Sequence, residues 1–157
     1  MQTVTPFLWF DSQAEEAAEF YVSVFPDSAI GKVVRYTGAG PGEAGTVMVV
    51  NFTLRGQEFS ALNGGPVYQF NPAVSFVVDC ETQDDVDHYW DGLLTGGGVP
   101  VQCGWLTDRF GLSWQIVPRR LNELMSDPDP EKAKRVTEAM LKMVKLDIAE
   151  LESAAVG

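Results

Sequence analysis

The chemistry open to this chain is concentrated in uncharged side chains. In Cys103-Gly104-Trp105-Leu106-Thr107-Asp108-Arg109-Phe110-Gly111-Leu112-Ser113-Trp114-Gln115-Ile116-Val117-Pro118, Leu112, Trp114 and Ile116 alternate with Ser113, Gln115 and Val117. One face of a strand is therefore apolar, and the other carries a hydroxyl next to an amide. A buried layer explains the first face; a lined cavity or a wet surface explains the second. Gln115 is the residue expected to meet a ligand. Asn51, Asn63, Ser75 and Ser113 are the other polar groups able to orient one, and Trp9, Phe7 and Trp105 are able to supply apolar walls. Core packing is the competing assignment for those aromatic residues and the favoured one for Phe52. Cys103 falls on a strand beside that of Gln115, where a thiolate could act as a nucleophile; burial as an inert small hydrophobe is the plainer role. The single histidine, His88, leaves no Ser-His-Asp or Cys-His set to assemble. Asp11, Asp79 and Asp108 suit turns and helix caps better than acid chemistry. No catalytic residue is assigned.

Groups of this kind need strands to hold them at fixed spacing. Residues 3–10, rich in Thr, Val, Phe and Trp, read as a strand with Pro6 at an end or an edge. From Gln13 the apolar residues Ala14, Ala17, Ala18, Tyr21, Val22 and Phe25 recur at helical spacing, with Ser12 or Asp11 as cap and Pro26 as stop. Residues 29–36, 46–54 and 58–62 follow as strands, separated by a glycine-rich loop at 38–45 and an Arg55-Gly56-Gln57 turn. Asn63-Gly64-Gly65-Pro66 and Asn71-Pro72 then punctuate the chain. The second half repeats the order: a strand at 73–80, a helix capped by Thr82 and stopped by Gly96-Gly97-Gly98, and short strands at 99–102, 104–107 and 112–117. Asp108 and Gly111 fill both ends of the turn before the last of these.

Beyond Pro118 the pattern becomes helical. Leu121, Leu124 and Met125 make one or two amphipathic turns; Asp129 caps a helix with Pro130 in its first position; Ala133, Val136, Met140, Leu141 and Val144 form its apolar stripe. A last short helix around Ile148 and Leu151 has Asp147 as cap. The stripe needs a surface to cover, on its own domain or on a second copy, and a homodimer is expected. Taken together, the elements predict an α+β fold: two β-α-β-β-β modules, 1–66 and 72–118, with a helical extension at 119–157, all in one domain of 1–157.

Composition narrows the partners. The 22 Asp and Glu against 11 Lys and Arg give a net charge of -11, which repels nucleic acid and anionic membranes alike. No run approaches membrane-spanning length, and Met1-Gln2-Thr3-Val4-Thr5-Pro6 lacks the pattern of a signal peptide, so a cytoplasmic protein is expected. Two cysteines, Cys80 and Cys103, without a Cys-x-x-Cys or Cys/His cluster, point to reduced thiols rather than to a disulfide framework or structural zinc. The expected partner is a small apolar or aromatic molecule, and no cofactor is assigned.

The two modules, Ala17-Ala18-Glu19-Phe20-Tyr21 on the first helix and Asp108-x-x-Gly111-x-x-x-Gln115 in the closing hairpin together resemble the vicinal-oxygen-chelate superfamily of glyoxalases, bleomycin-resistance proteins and extradiol dioxygenases. Thr5-Pro6-Phe7-Leu8-Trp9-Phe10, Ala61-Leu62-Asn63-Gly64-Gly65-Pro66, Ser75-Phe76-Val77-Val78, Cys103-Gly104-Trp105 and Leu112-Ser113-Trp114-Gln115, with the Asp127-Pro128-Asp129-Pro130-Glu131-Lys132-Ala133 tail, are similar to its PhnB-like branch, which is labelled demethylubiquinone methyltransferase-like. The resemblance implies that the curved mixed sheets of the two modules surround a cleft, and that a divalent metal is held there by His, Glu or Gln. Carried onto this chain, the last-strand glutamate falls at Gln115, the fourth-strand position near Asn63, the fifth-strand histidine at Ala73 with Ser75 next on the same face, and the first-strand position at Thr5 or Phe7. None of these is a charged ligand, so the resemblance is read as a degenerate metal site. The implied function is a small-molecule-binding protein or an enzyme of unidentified reaction. A metal-dependent lyase or dioxygenase and a methyltransferase using S-adenosylmethionine are the alternatives; the latter wants a glycine-rich turn that opens a helix, whereas the 38–45 loop leads into a strand.

Overall fold

The computed structural model describes residues 3–157; Met1 and Gln2, at the start of the expected first module, lie outside it. The chain divides into two compact units, the first ending at Phe70 and the second Asn71–Gly157.

The first unit contains β1 (Phe7–Phe10), α1 (Ala14–Val24), β2 (Ala29–Arg35), β3 (Val47–Leu54) and β4 (Gln57–Asn63). Its sheet runs β1-β4-β3-β2, with β1 parallel to β4 and the other pairs antiparallel. β1 starts one residue after Pro6, which has no N–H to give a ladder. Alternation sends Leu8, Phe10, Val50, Phe52, Phe59 and Ala61 to one face, where α1 buries Ala14, Ala17, Ala18 and Tyr21. Phe52 lies in this core, stacked on Phe59 at 5.3 Å. Neither Ser12 nor Asp11 caps α1: Gln13 holds the cap position without a side-chain bond. Asn63 Oδ1 accepts from Ala14 N at 2.8 Å instead, so the end of β4 holds the start of the helix.

The second unit repeats the order with β5 (Ser75–Cys80), α2 (Gln83–Leu94), β6 (Val99–Pro100), β7 (Trp105–Thr107) and β8 (Ser113–Pro118), in the sheet order β5-β8-β7-β6. Thr82 and Asp85 close a reciprocal capping box at the start of α2. Val78, Leu106, Trp114 and Ile116 form the buried face, and α2 contributes Val86, Tyr89, Trp90 and Leu93 to the core of the unit. β6 is two residues long rather than the expected four. After Val101 the chain leaves the ladder through Cys103 and Gly104, both at positive φ, and turns towards the C-terminal helices.

Those helices are α3 (Arg119–Met125), α4 (Pro130–Leu141) and α5 (Ile148–Val156), the last two capped by Asp129 and Asp147 as local sequence predicts. Leu121, Leu124, Val136, Met143, Leu146, Leu151 and Ala155 make one buried cluster with Val117, Ala139 and Met140 packed against it. The inner part of the α4 stripe is thus covered by its own unit and needs no second copy, while Leu141 and Val144 stay exposed. Polar groups fasten the joint. Cys103 N and Gly104 N donate to Met143 O and Val144 O. Gln83 donates to Leu146 O and accepts from Ile148 N. Lys145 Nζ meets Asp87 Oδ1 at 2.7 Å. The Lys145 hydrogen bond, helped by one from Gln83, lowers the Asp87 carboxyl, and the bond to Asp87 raises the Lys145 ammonium. Both side chains are about 40 % exposed (39 % and 41 %), so the pair is worth about 0.5 kcal/mol or less.

Candidate functional site

β8 is flanked by β5 on one side and β7 on the other, and its register decides which polar groups meet. Gln115 pairs with Val77 of β5 and Trp105 of β7; Ser113 pairs with Ser75 and Thr107. All six therefore share the face that α2 does not cover. Gln115 Nε2 donates to Ser75 Oγ at 2.9 Å, a diagonal contact across the parallel pair. That bond orients the amide so that Oε1, which no described residue donates to, is presented on the open face beside the half-buried Trp105 and the exposed Val77. Ser113, only 3 % exposed, forms the floor of this patch. A neutral acceptor and a hydroxyl set between apolar walls suit the uncharged polar end of an otherwise apolar molecule.

The neighbouring hairpin fixes this geometry. Asp108, buried, accepts from Phe110 N and Leu112 N through Oδ1 and from the Trp114 indole through Oδ2. The residue before Gln115 is thereby tied to the turn that starts its strand.

The first unit shows the counterpart face. Phe7, Trp9, Val49, Asn51, Ser60 and Leu62 share it by register. Phe7 is 58 % exposed. Trp9 is held by its indole bond to Gly65 O at 2.9 Å and by the edge of Tyr68 at 5.0 Å. Its ring lies so close to Gly64 that a Cβ there would stand 2.3 Å from it. Ser60 Oγ donates to Asn51 Oδ1 at 2.9 Å, leaving the Asn51 NH2 pointed outward as donor. Asn63 is on the opposite face: its Oδ1 caps α1 and its Nδ2 donates to Val47 O at 3.1 Å, so both ends of this amide are committed to the backbone.

Of the residues expected to bind a ligand, the second sheet brings Gln115, Ser75, Ser113 and Trp105 together; Asn51, Phe7 and Trp9 belong to the first sheet. Cys103 is half-buried in the bend against Met143 and not on a strand. Ala73 is also outside its expected strand. It is exposed in the turn that Asn71 closes through Oδ1 to Ala73 N, so Ser75 is the first strand residue on that face. Sequence reasoning misses Ser60, although counting outward from the Arg55-Gly56 turn places it opposite Asn51.

The donor set does not fit a catalytic divalent metal. Such an ion wants several imidazole or carboxylate ligands. Among the described residues no three His, Cys, Asp or Glu side chains gather at one point. Gln115 spends its NH2 on Ser75, and Asn63 has turned away to the helix. An S-adenosylmethionine cradle is matched no better: the 38–45 loop runs from β2 into β3 and packs on its own Tyr36, where a Cβ at Gly42 would lie 2.1 Å from the ring. His88 lies on α2 with its ring against Tyr89. Among the described residues no helix is long and apolar enough to cross a membrane.

Comparison with known proteins gives a consistent result. The profile of the family described as 3-demethylubiquinone-9 3-methyltransferase matches residues 2–117, stopping short of the 127–133 tail. A PhnB protein from Bacillus cereus is 38 % identical over 74 % of this chain and 99 % of its own, with a TM-score of 0.67. Two more distant structures share the fold: a Pseudomonas aeruginosa protein, 17 % identical over 75 % of this chain and 98 % of its own (TM-score 0.61), and a glyoxalase/bleomycin resistance protein from Albidiferax ferrireducens T118, 12 % identical over 74 % and 98 % (TM-score 0.51). No curated protein matches.

Proposed function

Because the chain belongs to the 3-demethylubiquinone-9 3-methyltransferase family, in the PhnB-like branch of the vicinal-oxygen-chelate superfamily, we propose that it is a small-molecule-binding protein that holds the uncharged polar end of an apolar or aromatic ligand on the Gln115–Ser75 pair. The observation that carries this reading is the 2.9 Å bond from Gln115 Nε2 to Ser75 Oγ. It uses the amide's donor side and leaves its acceptor side for a ligand N–H or O–H, while the Ser75 hydroxyl hydrogen is available to a ligand carbonyl. Trp105 and Val77 flank the pair and would cover the apolar body. The superfamily's metal chemistry and the family's methyl transfer find no support in the residues of this site, which supply neither a charged ligand set nor a cradle for the cofactor.

The reading is tested by native mass spectrometry of protein purified without denaturation. A non-covalent adduct of an uncharged small molecule is expected, with its occupancy reduced about tenfold or more in Gln115→Leu, because a lost buried hydrogen bond costs about 1–3 kcal/mol. An adduct that persists unchanged in Gln115→Leu, or wild-type protein with no adduct of any class, contradicts it.

A further inference from the structure

The open face of the first sheet carries a second feature that the Gln115 site does not use. A pocket of about 410 Å³ lies over β2, β3 and β4, lined by Thr5, Lys32, Asn51, Thr53, Glu58 and Ser60 with the backbone of Gly31. Its middle is the Asn51–Ser60 pair. Its margins carry one charge of each sign, Lys32 from β2 and Glu58 from β4, and neither enters an ion pair with any described residue. The two strands are separated by β3, a width of about 10 Å at the usual strand spacing. Ions of opposite sign held apart across a polar floor are complementary to a molecule bearing both charges. An α-amino acid with a contact at each end spans about 9 Å. Its carboxylate would face Lys32 and accept from the Asn51 NH2, and its ammonium would face Glu58 and donate to Ser60 Oγ, whose own hydrogen is given to Asn51 Oδ1.

We infer that this pocket is a binding site for a small zwitterion of the α-amino acid class. A simple anion would leave Glu58 repelling it within a chain of net charge -11, and a simple cation would leave Lys32 opposed to it; a zwitterion satisfies both. Gly31 keeps the approach open, since a Cβ there would sit 3.2 Å from Asn51 O. The inference is independent of the Gln115 reading, because it concerns the other sheet and different amides report on it.

The test is an NMR titration of ¹⁵N-labelled full-length protein with glycine, L-alanine and L-serine, and with ethylammonium chloride and sodium propionate as single-charge controls. Saturable shifts are expected for the backbone amides of residues 31–32, 51–53 and 58–60 and for the Asn51 side-chain NH2, with at least one amino acid binding about fivefold more tightly than either control. Lys32→Gln and Glu58→Gln should each weaken that binding about fivefold; both side chains are exposed, so both variants should fold. The double reversal Lys32→Glu/Glu58→Lys should restore it, because the ligand can turn end for end. Absence of saturable shifts with all three amino acids up to about 50 mM, an equal response to a single-charge control, or binding unchanged in both single variants would overturn the inference.

Discussion

Asp108→Ala is expected to lower the unfolding free energy by about 3–5 kcal/mol in urea denaturation. Asp108 is 3 % exposed, and its carboxylate accepts hydrogen bonds from Phe110 N at 2.8 Å, Leu112 N at 3.1 Å and Trp114 Nε1 at 2.9 Å. Alanine leaves all three donors facing a small apolar side chain. Each unsatisfied buried donor costs about 1–3 kcal/mol, and water entering the loosened turn recovers part of the sum. Asp108→Asn should fall between alanine and the wild type, because a single carbonyl oxygen replaces two carboxylate oxygens. Since Trp114 precedes Gln115, the alanine variant should also reduce ligand occupancy at the Gln115 site. A loss below about 1 kcal/mol would show that the backbone bonds of the turn, Asp108 N to Leu112 O and Gly111 N to Asp108 O, hold it unaided.

Gly104→Ala carries the second large effect. Gly104 has φ +83, and an added Cβ would lie 2.9 Å from Leu146 Cδ1 and 3.0 Å from Ile116 O. The first contact is a fully buried side chain of the C-terminal cluster and the second a backbone atom of β8, so there is little room to yield. The same residue donates to Val144 O and accepts from Ile116 N. Positive φ and overpacking together should cost about 2–4 kcal/mol, seen as a lower Tm. Hydrogen exchange should become faster first at Val144, Leu146 and Ile148, where the extension joins the sheet. Unchanged exchange there, with the Tm preserved, would mean that the extension is not fastened through this bend.

How much can be read from the sequence follows from how local each determinant is. Thr82, Asp129 and Asp147 act within three residues of themselves, and all three cap helices as the sequence predicts. The α1 cap is not legible in the same way, because its acceptor is Asn63, 49 residues away. The two-fold alternation of β8 is enough to aim Gln115 away from the core, while Asn63 shares the parity of Phe59 and Ala61 and goes to the helix side. A neutral amide looks the same in sequence whether it lies on an open face or caps a helix end; the structure separates Gln115, bonded to Ser75, from Asn63, bonded to Ala14 N and Val47 O. Ala73 reads as part of β5 in the sequence because the apolar run continues back into the turn closed by Asn71, whose side chain takes the Ala73 N–H. The apolar stripe of α4 announces its need for cover without naming the cover, which is supplied by α3, α5 and the bend at Met143.

The central claim is that Gln115, where the resemblance to the superfamily implies a metal ligand, serves here as half of a neutral hydrogen-bonding pair. Metal analysis of wild-type protein and Gln115→Ala, each purified from cells grown with zinc, nickel, manganese and iron, tests it most directly. Well below one tightly held ion per chain is expected in both, because an amide already bound to Ser75 adds no charge to draw an ion. Wild-type protein carrying about one ion per chain, lost in Gln115→Ala, would contradict the account and make Gln115 a metal ligand.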